Sequence, residues 1–394
     1  MRDGLRVFDA DCHVVYPPDL WQRHLDPAFR DRVRPAPAPG IETVNPLTVD
    51  GRYTQHPTIL YGRFQRAIGW TTEDMIAKYG PDLVHGGFTG DRVAAALAVE
   101  GIDIGVVYGP EFDMWPDGID PALQAAMARA YNRWGAEMRE ASGGRVVVSG
   151  PIPLTDVSRA VEEIEYAYHH LGTRCFWTRP NLVNHRDLGN RYYDPVYELL
   201  QDLDCALATH EFMGLNAVTA GSGRFRTFTE WHAVVHWHET QSAMLSMLCG
   251  GVFDRFPRLR CAYMEAGCGW LPSWLHRIDE QLELAGAAEF PGLTRSAVQT
   301  FAENCWISCE CDDPHVADVV RHLGDRKIVF ESDFPHPDSK YPHTLDRFLA
   351  LSPDELSPET KARILWDNPM DLYRFADDDL PAHCRTPLPA TQEA

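Results

Sequence analysis

The stretch V-F-D-A-D-C-H at residues 7–13 places two carboxylates and an imidazole at alternate positions, directly after an apolar pair. In an extended strand every second side chain falls on one face. Asp9, Asp11 and His13 are therefore expected to project together from the end of a strand that begins near Leu5. Oxygen and nitrogen donors side by side are the start of a site for a divalent cation. The same residues have a plainer use, because an Asp before a turn caps backbone amides and a single His in a polar cluster is solvated. The metal reading needs ligand types at equivalent places further along the chain.

They recur. T-H-E-F puts His210 after an apolar run, R-C-A-Y-M-E ends in Glu265, and K-I-V-F-E-S-D ends in Asp333. The segment H-A-V-V-H-W-H-E-T-Q adds His232, His236, His238 and Glu239. His232 and His236 are four apart, the spacing of one helical face, which suits a supporting or surface place for both.

The elements that must position these groups follow from the apolar pattern. Eight β-rich runs recur, from L-R-V-F-D-A-D at the start through 102–108, 145–153, 174–178, 204–210, 260–265, 304–310 and 327–333. Between them lie stretches with apolar residues at three- and four-residue spacing, such as D-V-S-R-A-V-E-E-I-E-Y-A-Y-H-H-L. This alternation predicts βα units and a parallel sheet, and eight units predict a closed (β/α)8 TIM barrel. Barrel enzymes gather their chemistry at the C-terminal strand ends, which is where Asp11, His13, His210, Glu265 and Asp333 fall. One barrel domain is expected over 1–380, with a flexible tail at 381–394. Two segments break the pattern, Pro35 to Pro57 and Gly214 to Thr229; both follow strand ends and are expected as walls over the barrel mouth.

Composition narrows the function classes. The 394 residues are 44% hydrophobic and 24% charged, as in a globular protein with a sizeable core. A formal net charge of −21 argues against a nucleic-acid partner, since the overall field repels phosphate. With no basic and apolar leader and no apolar run of bilayer length, a cytoplasmic protein without a membrane partner is expected. The ten cysteines include no C-x-x-C pair and are read as reduced thiols. Cys305, Cys309 and Cys311 share strand parity, and are read as core residues because free Cys is among the most buried types. A homodimer is a fair expectation for a soluble enzyme.

The strand-end residues and their order resemble the amidohydrolase superfamily, in particular the amidohydrolase-2 branch that contains aminocarboxymuconate semialdehyde decarboxylase. Further matching segments are R-A-Y-N-R-W, T-R-P-N-L-V-N-H-R-D-L-G-N-R-Y-Y-D-P, F-D-R-F-P-R-L-R-C-A-Y-M-E-A-G-C-G-W-L-P and I-L-W-D-N-P-M-D-L-Y, so the likeness runs from about residue 5 to 376. The resemblance implies metal ligands at Asp11 and His13, where D-A-D-C-H replaces H-x-H, and at His210 and Asp333. It also favours His238 as a ligand, at the expected start of the next helix. One departure stands out: Glu265 occupies the place after strand six where the decarboxylases of this branch carry a proton-donating His.

With Asp11, His13, His210, His238, Glu265 and Asp333 the set would hold three carboxylates and three imidazoles, enough for two metals. That pattern resembles the barrel-fold non-haem diiron monooxygenases of platensimycin and platencin biosynthesis. It implies two Fe ions, dioxygen, an electron donor of unknown identity, and hydroxylation of an unactivated carbon in an acyl substrate carried as a coenzyme A thioester. Glu265, Asp333 and His238 would then be catalytic. The alternative is a hydrolase or non-oxidative decarboxylase with one Zn2+ or Mn2+, in which Asp333 is ligand and base and Glu265 a proton shuttle. Arg174, Arg179, Arg224 and Arg226 are candidates to grip an anionic substrate, because guanidinium forks match carboxylate and phosphate; Arg174 and Arg179 serve equally well as structural ion-pair partners. Trp177 and Phe212, with Met213, Trp231 and Trp270, are candidate apolar walls. Whether His232, His236 or His336 joins the metal set stays open.

Overall fold

The computed structural model describes residues 2, 4–36, 47–54, 66–109, 114, 118–211, 219–352 and 354–385. Eight strands carry the site: β1 Phe8–Cys12, β2 Ile104–Val107, β3 Val146–Val148, β4 Cys175–Thr178, β5 Ala206–Thr209, β6 Arg260–Tyr263, β7 Cys305–Cys309 and β8 Ile328–Phe330. Every residue in them is buried. Strands covered outside by helices and filled inside by one another's side chains have no polar face, which is why V-V-V and I-G-V-V read as unbroken apolar runs.

All pairings among these strands are parallel. β1, β2 and β3 form one run, and β4 to β8 form the other. Past β3, Gly150–Pro151 pairs with β4 and joins the two runs. At the other seam the amides of Ser332 and Asp333, just beyond β8, both donate to the Asp11 carbonyl at 3.3 Å. The sheet closes on itself as the (β/α)8 pattern predicts.

The crossover helices are α1 Gly90–Glu100, α2 Pro121–Ala141, α3 Val157–Leu171, α4 Asp194–Asp202, α5 Phe228–Cys249, α6 Leu271–Gln281 and α7 Val316–Leu323. Their starts are written in the sequence. Asp120 caps the Ala122 amide ahead of Pro121, and Asp156 caps Ser158 and Arg159. Thr227 and Glu230 form a reciprocal capping box that opens α5. Gly135 in α2 is a close-approach position: a Cβ there would stand 2.9 Å from the Val148 side chain of β3.

Of the first off-pattern segment, Val33–Pro35, Leu47–Val49 and Arg52–Tyr53 form a small antiparallel meander, while residues 37–46 and 55–57 lie outside the described residues. In the second, residues 214–218 lie outside them, and 219–227 lead by turns into α5. The segment expected as a flexible tail is packed where it is described. Ala382–Cys384 forms a single turn with Cys384 buried, and His383 Nε2 sits 3.3 Å from Asp103 Oδ1. Residues 386–394 lie outside the described residues. All ten cysteines are free, with Cys305, Cys309 and Cys311 buried as expected. No helix among the described residues is long and apolar enough to cross a membrane.

Candidate metal centre

The first strand delivers its polar residues to two different places. Its register against β2 is irregular between Asp9 and Cys12. Asp9 does not join Asp11 and His13. Its Oδ1 accepts from the amides of Ser332, at 2.9 Å, and Asp11, at 3.3 Å, tying β1 to the segment after β8. Burial pushes this carboxyl up to about 7. Cys12 packs behind the strand with Sγ 3.4 Å from the Val106 carbonyl.

Asp11, His13, His210, Glu265 and Asp333 converge. His13 Nε2 lies 3.6 Å from Asp11 Oδ1, 3.6 Å from Glu265 Oε2 and 3.2 Å from Asp333 Oδ1. His210 Nε2 lies 3.4 Å from Asp11 Oδ2 and 2.6 Å from Glu265 Oε2. Two overlapping groups, His13 with Glu265, Asp333 and His336, and His13 with Asp11 and His210, each offer donor atoms within 4.8 Å of one another.

The orientation of each imidazole follows from its other nitrogen. His13 Nδ1 sits 3.3 Å from the Tyr108 carbonyl and His210 Nδ1 sits 2.6 Å from the Glu211 carbonyl. A carbonyl can only accept, so the proton belongs on Nδ1 and the Nε2 lone pair faces the centre. Tyr108 stacks on His210 at 5.2 Å between centroids, and Trp177 meets it edge-on at 5.9 Å. On the other side His336 stacks on His13 at 4.1 Å.

Two of the carboxylates stand on strained backbone. Glu265 and Asp333 adopt φ of 48° and 53°, the left-handed region that disfavours residues with a Cβ. Such conformations persist where the surroundings over-determine them, and they cluster at functional sites.

The charges in the cluster are strongly coupled. Burial drives the Asp11 carboxyl well above the usual range. It acts on Glu265 in the same direction, but His210, His13 and His236 outweigh it and hold Glu265 well below its ordinary value. Burial opposes the charged form of His336, yet Asp333 beside it raises that imidazole to about 9. Burial lowers His236 to about 4, leaving it neutral, with Nδ1 3.1 Å from the Glu265 carbonyl.

These residues suit a metal. Both Asp11 oxygens, Glu265 Oε2 and His210 Nε2 are buried with no aligned hydrogen bond. Buried polar atoms left so cost roughly 1–3 kcal/mol each, more when charged, unless something else satisfies them. Carboxylate oxygens mixed with imidazole nitrogens match a hard or borderline divalent ion such as Mn2+ or Zn2+.

Other expected site residues lie elsewhere. His238 is exposed, with Nδ1 3.1 Å from the Val234 carbonyl of its own helix. It was expected at a helix start, but α5 begins ten residues earlier at Phe228. His238 is two residues on from His236 and so about 200° round the helix from the face that meets Glu265. The site takes His236 and His336 into contact instead. His232 stands one turn before His236, with the rings 4.7 Å apart.

Arg174 precedes β4, at the strand end opposite the cluster, and spends its guanidinium on the Tyr168 and Thr173 carbonyls and the Tyr168 ring. It is a structural residue, not a substrate grip. Arg179 follows β4 but is buried, with Nη2 donating to the Leu182 carbonyl at 2.7 Å. Arg224 and Arg226 are exposed in the turns before α5. Trp177 is fully buried behind His210, its Nε1 on the Gly109 carbonyl, and so supports the site without facing a substrate. Trp231 and Trp270 bond to Thr219 Oγ1 and the Ala266 carbonyl. Phe212 and Met213 lie outside the described residues.

The family model described as amidohydrolase (Amidohydro_2) matches residues 117–375. The chain belongs to this amidohydrolase family. Among curated relatives, the 6-methylsalicylic acid decarboxylase of Aspergillus aculeatus is 23% identical over 261 residues, 64% of this chain and 77% of that protein. Among solved structures, an amidohydrolase of Mycobacterium avium subsp. paratuberculosis K-10 is similar with a TM-score of 0.71, 22% identity, and coverage of 94% of this chain and 98% of the other. A dihydroxybenzoic acid decarboxylase of Polaromonas sp. JS666, with bound manganese and 2-nitroresorcinol, gives 0.63, 17%, 94% and 97%.

These findings overturn the monooxygenase expectation. The curated relatives are decarboxylases, which break a carbon–carbon bond without an oxidant, so dioxygen, an electron donor and a coenzyme A thioester lose their basis. The expected pair of iron ions loses its support as well. The second ion depended on His238, which points away, and the Polaromonas structure holds manganese.

Proposed function

We propose that this amidohydrolase-family chain is a metal-dependent, non-oxidative decarboxylase of a small aromatic carboxylic acid. The observation that carries the reading is the convergence of Asp11, His13, His210, Glu265 and Asp333, with both Asp11 oxygens and Glu265 Oε2 buried without an aligned hydrogen bond, in a chain whose curated relatives are decarboxylases. Those five residues would hold one Mn2+ or Zn2+. When bound, the ion supplies Lewis acidity that orients a carboxylate-bearing substrate.

The residues around it divide the remaining work. His336 holds a proton, because Asp333 Oδ1 is 2.6 Å from its Nδ1 and favours the cationic ring. Its backbone is fixed by Tyr79 and Lys78, whose Oη and Nζ donate to the His336 carbonyl at 2.9 and 3.3 Å. The Nε2 proton of His336 is the one available for the ring carbon that bears the carboxylate. A C–H bond forms there, the bond to the carboxylate breaks, its electron pair returns to the ring, and CO2 leaves. Glu265, packed between His210 and His13, belongs to the ligand ring, which replaces the proton-shuttle role considered from the sequence.

The test is anaerobic turnover of hydroxylated benzoates by Mn2+-loaded protein, with CO2 measured against acid consumed. Stoichiometric CO2 is the expected result. No CO2 from any hydroxybenzoate, or turnover that stops when oxygen is removed, would refute the reading.

A further inference from the structure

The backbone of Glu265 is held almost entirely by side chains. Its amide donates to Ser308 Oγ at 3.1 Å and to Glu331 Oε2 at 3.2 Å, and its carbonyl is met by His236 Nδ1 at 3.1 Å. Those partners come from β7, from the residue just past β8, and from α5. Glu265 itself sits two residues past β6 at a φ of 48°. A strand that simply continued would pair this amide with a neighbouring carbonyl; here the peptide has turned away and side chains have replaced the ladder.

Glu331 is the unusual member. It is 1% exposed, and its second oxygen, Oε1, has no hydrogen-bond partner. A glutamate is a costly way to fill a barrel layer, since an aliphatic residue of similar volume would leave no polar atom unsatisfied. What the aliphatic residue lacks is an acceptor for the Glu265 amide.

We infer that Glu331 is a positioning residue: its Oε2 and Ser308 Oγ together clamp the Glu265 amide, hold that residue left-handed, and so aim the Glu265 carboxylate at His210 and His13. The same short segment, Glu331 to Asp333, thereby places two metal-facing carboxylates, one through its own backbone and one across two strands. The inference rests on the metal reading above, but not on the identity of the reaction.

The experiment measures Mn2+ affinity by competition with a chromogenic chelator, with circular dichroism reporting the fold. Glu331→Met removes the acceptor at similar volume and should weaken Mn2+ binding by about 10- to 100-fold, whereas Glu331→Gln, which keeps an acceptor oxygen, should stay within about threefold of wild type. Because Glu331 acts through Glu265, the Met penalty should nearly vanish in a Glu265→Gln background. Undiminished affinity in Glu331→Met, an equal loss in Glu331→Gln, or an undiminished penalty in the Glu265→Gln background would each overturn the inference. Should Glu331→Met fail to fold, Ser308→Ala removes the other acceptor of the same amide and should cost at least about threefold in affinity; no loss there overturns the inference equally. Wild type that binds Mn2+ tightly yet releases no CO2 sinks only the decarboxylase reading. Wild type that binds neither Mn2+ nor Zn2+ sinks both.

Discussion

Asp333 Oδ1 stands 2.6 Å from His336 Nδ1 and 3.2 Å from His13 Nε2, so one carboxylate oxygen addresses two imidazoles stacked on each other. The two rings need not have the same duty. His13 uses its far nitrogen on the Tyr108 carbonyl and turns Nε2 to the cluster, whereas His336 turns Nδ1 to Asp333 and keeps Nε2 for other work. Replacing His336 by Gln should therefore leave Mn2+ content near wild type while lowering kcat by about 100- to 10,000-fold, the range of a lost general acid. Loss of the metal in that variant would instead make His336 a ligand.

His13→Ala should behave in the opposite way. His13 is common to both donor groups, so its removal opens both. Metal occupancy after dialysis should fall below a tenth of wild type, while the far-ultraviolet spectrum stays unchanged, because strand-end ligands lie outside the packed barrel layers. Full occupancy would remove His13 from the site.

His236 and His238 separate the helix-face argument from the residue-type argument. His236→Ala leaves the Glu265 carbonyl without its partner and should reduce kcat/KM by at least about tenfold through misplacement of that carboxylate. His238→Ala, on the exposed face, should stay within about twofold of wild type. Equal losses in both variants would contradict the placement of α5.

The contrast also marks how far the sequence could be read. Asp11, His13, His210, Glu265 and Asp333 were legible because a parallel barrel sends every C-terminal strand end to one mouth, so their place at strand ends suffices even where Glu265 and Asp333 stand past the strands on left-handed backbone. His336 was not, because it follows Asp333 through a turn, where no periodicity says which way a side chain faces. The choice of His238 over His236 failed on helix phase. The signal that sets it was present as T-F-T-E, a capping box at residues 227–230, which starts α5 early enough to put 232 and 236 on the inner face. Asp9 was misplaced for a different reason: the irregular register between Asp9 and Cys12 breaks the simple alternation that grouped it with Asp11.

Metal removal should be visible in stability. An ion that binds only the folded chain adds RT ln(1 + [L]/Kd), about 2.7 kcal/mol at a hundredfold excess over Kd, so Mn2+ should raise the midpoint of thermal unfolding by several degrees over chelated protein. Chelation should abolish turnover, and added Mn2+ should restore it. A midpoint that ignores the metal would mean that the buried oxygens of Asp11 and Glu265 are satisfied in some other way.

The cysteines give a prediction with a definite sign. Burial raises the thiols of Cys175, Cys205, Cys261 and Cys311 to about 12 and that of Cys384 to about 11. In the unfolded chain a thiol titrates near 8.5. Above that pH the unfolded state binds fewer protons than the folded one, so the stability of the fold declines as pH rises and is lost progressively towards the folded values. Each such thiol removes up to about 1.4 kcal/mol per pH unit in that window, which for five of them is comparable with the whole stability of a domain. The urea midpoint, measured under reducing conditions, should thus fall more steeply between pH 9 and 10.5 than between pH 7 and 8, where the raised His336 imidazole already costs the fold some stability. The thiolate is the reactive form, so a thiol reagent at pH 8 should titrate at most the half-buried Cys249 in native protein, and all ten cysteines in urea. Rapid modification of several native thiols, or a urea midpoint at pH 10 equal to that at pH 7.5, would show that these side chains are not enclosed as the barrel encloses them.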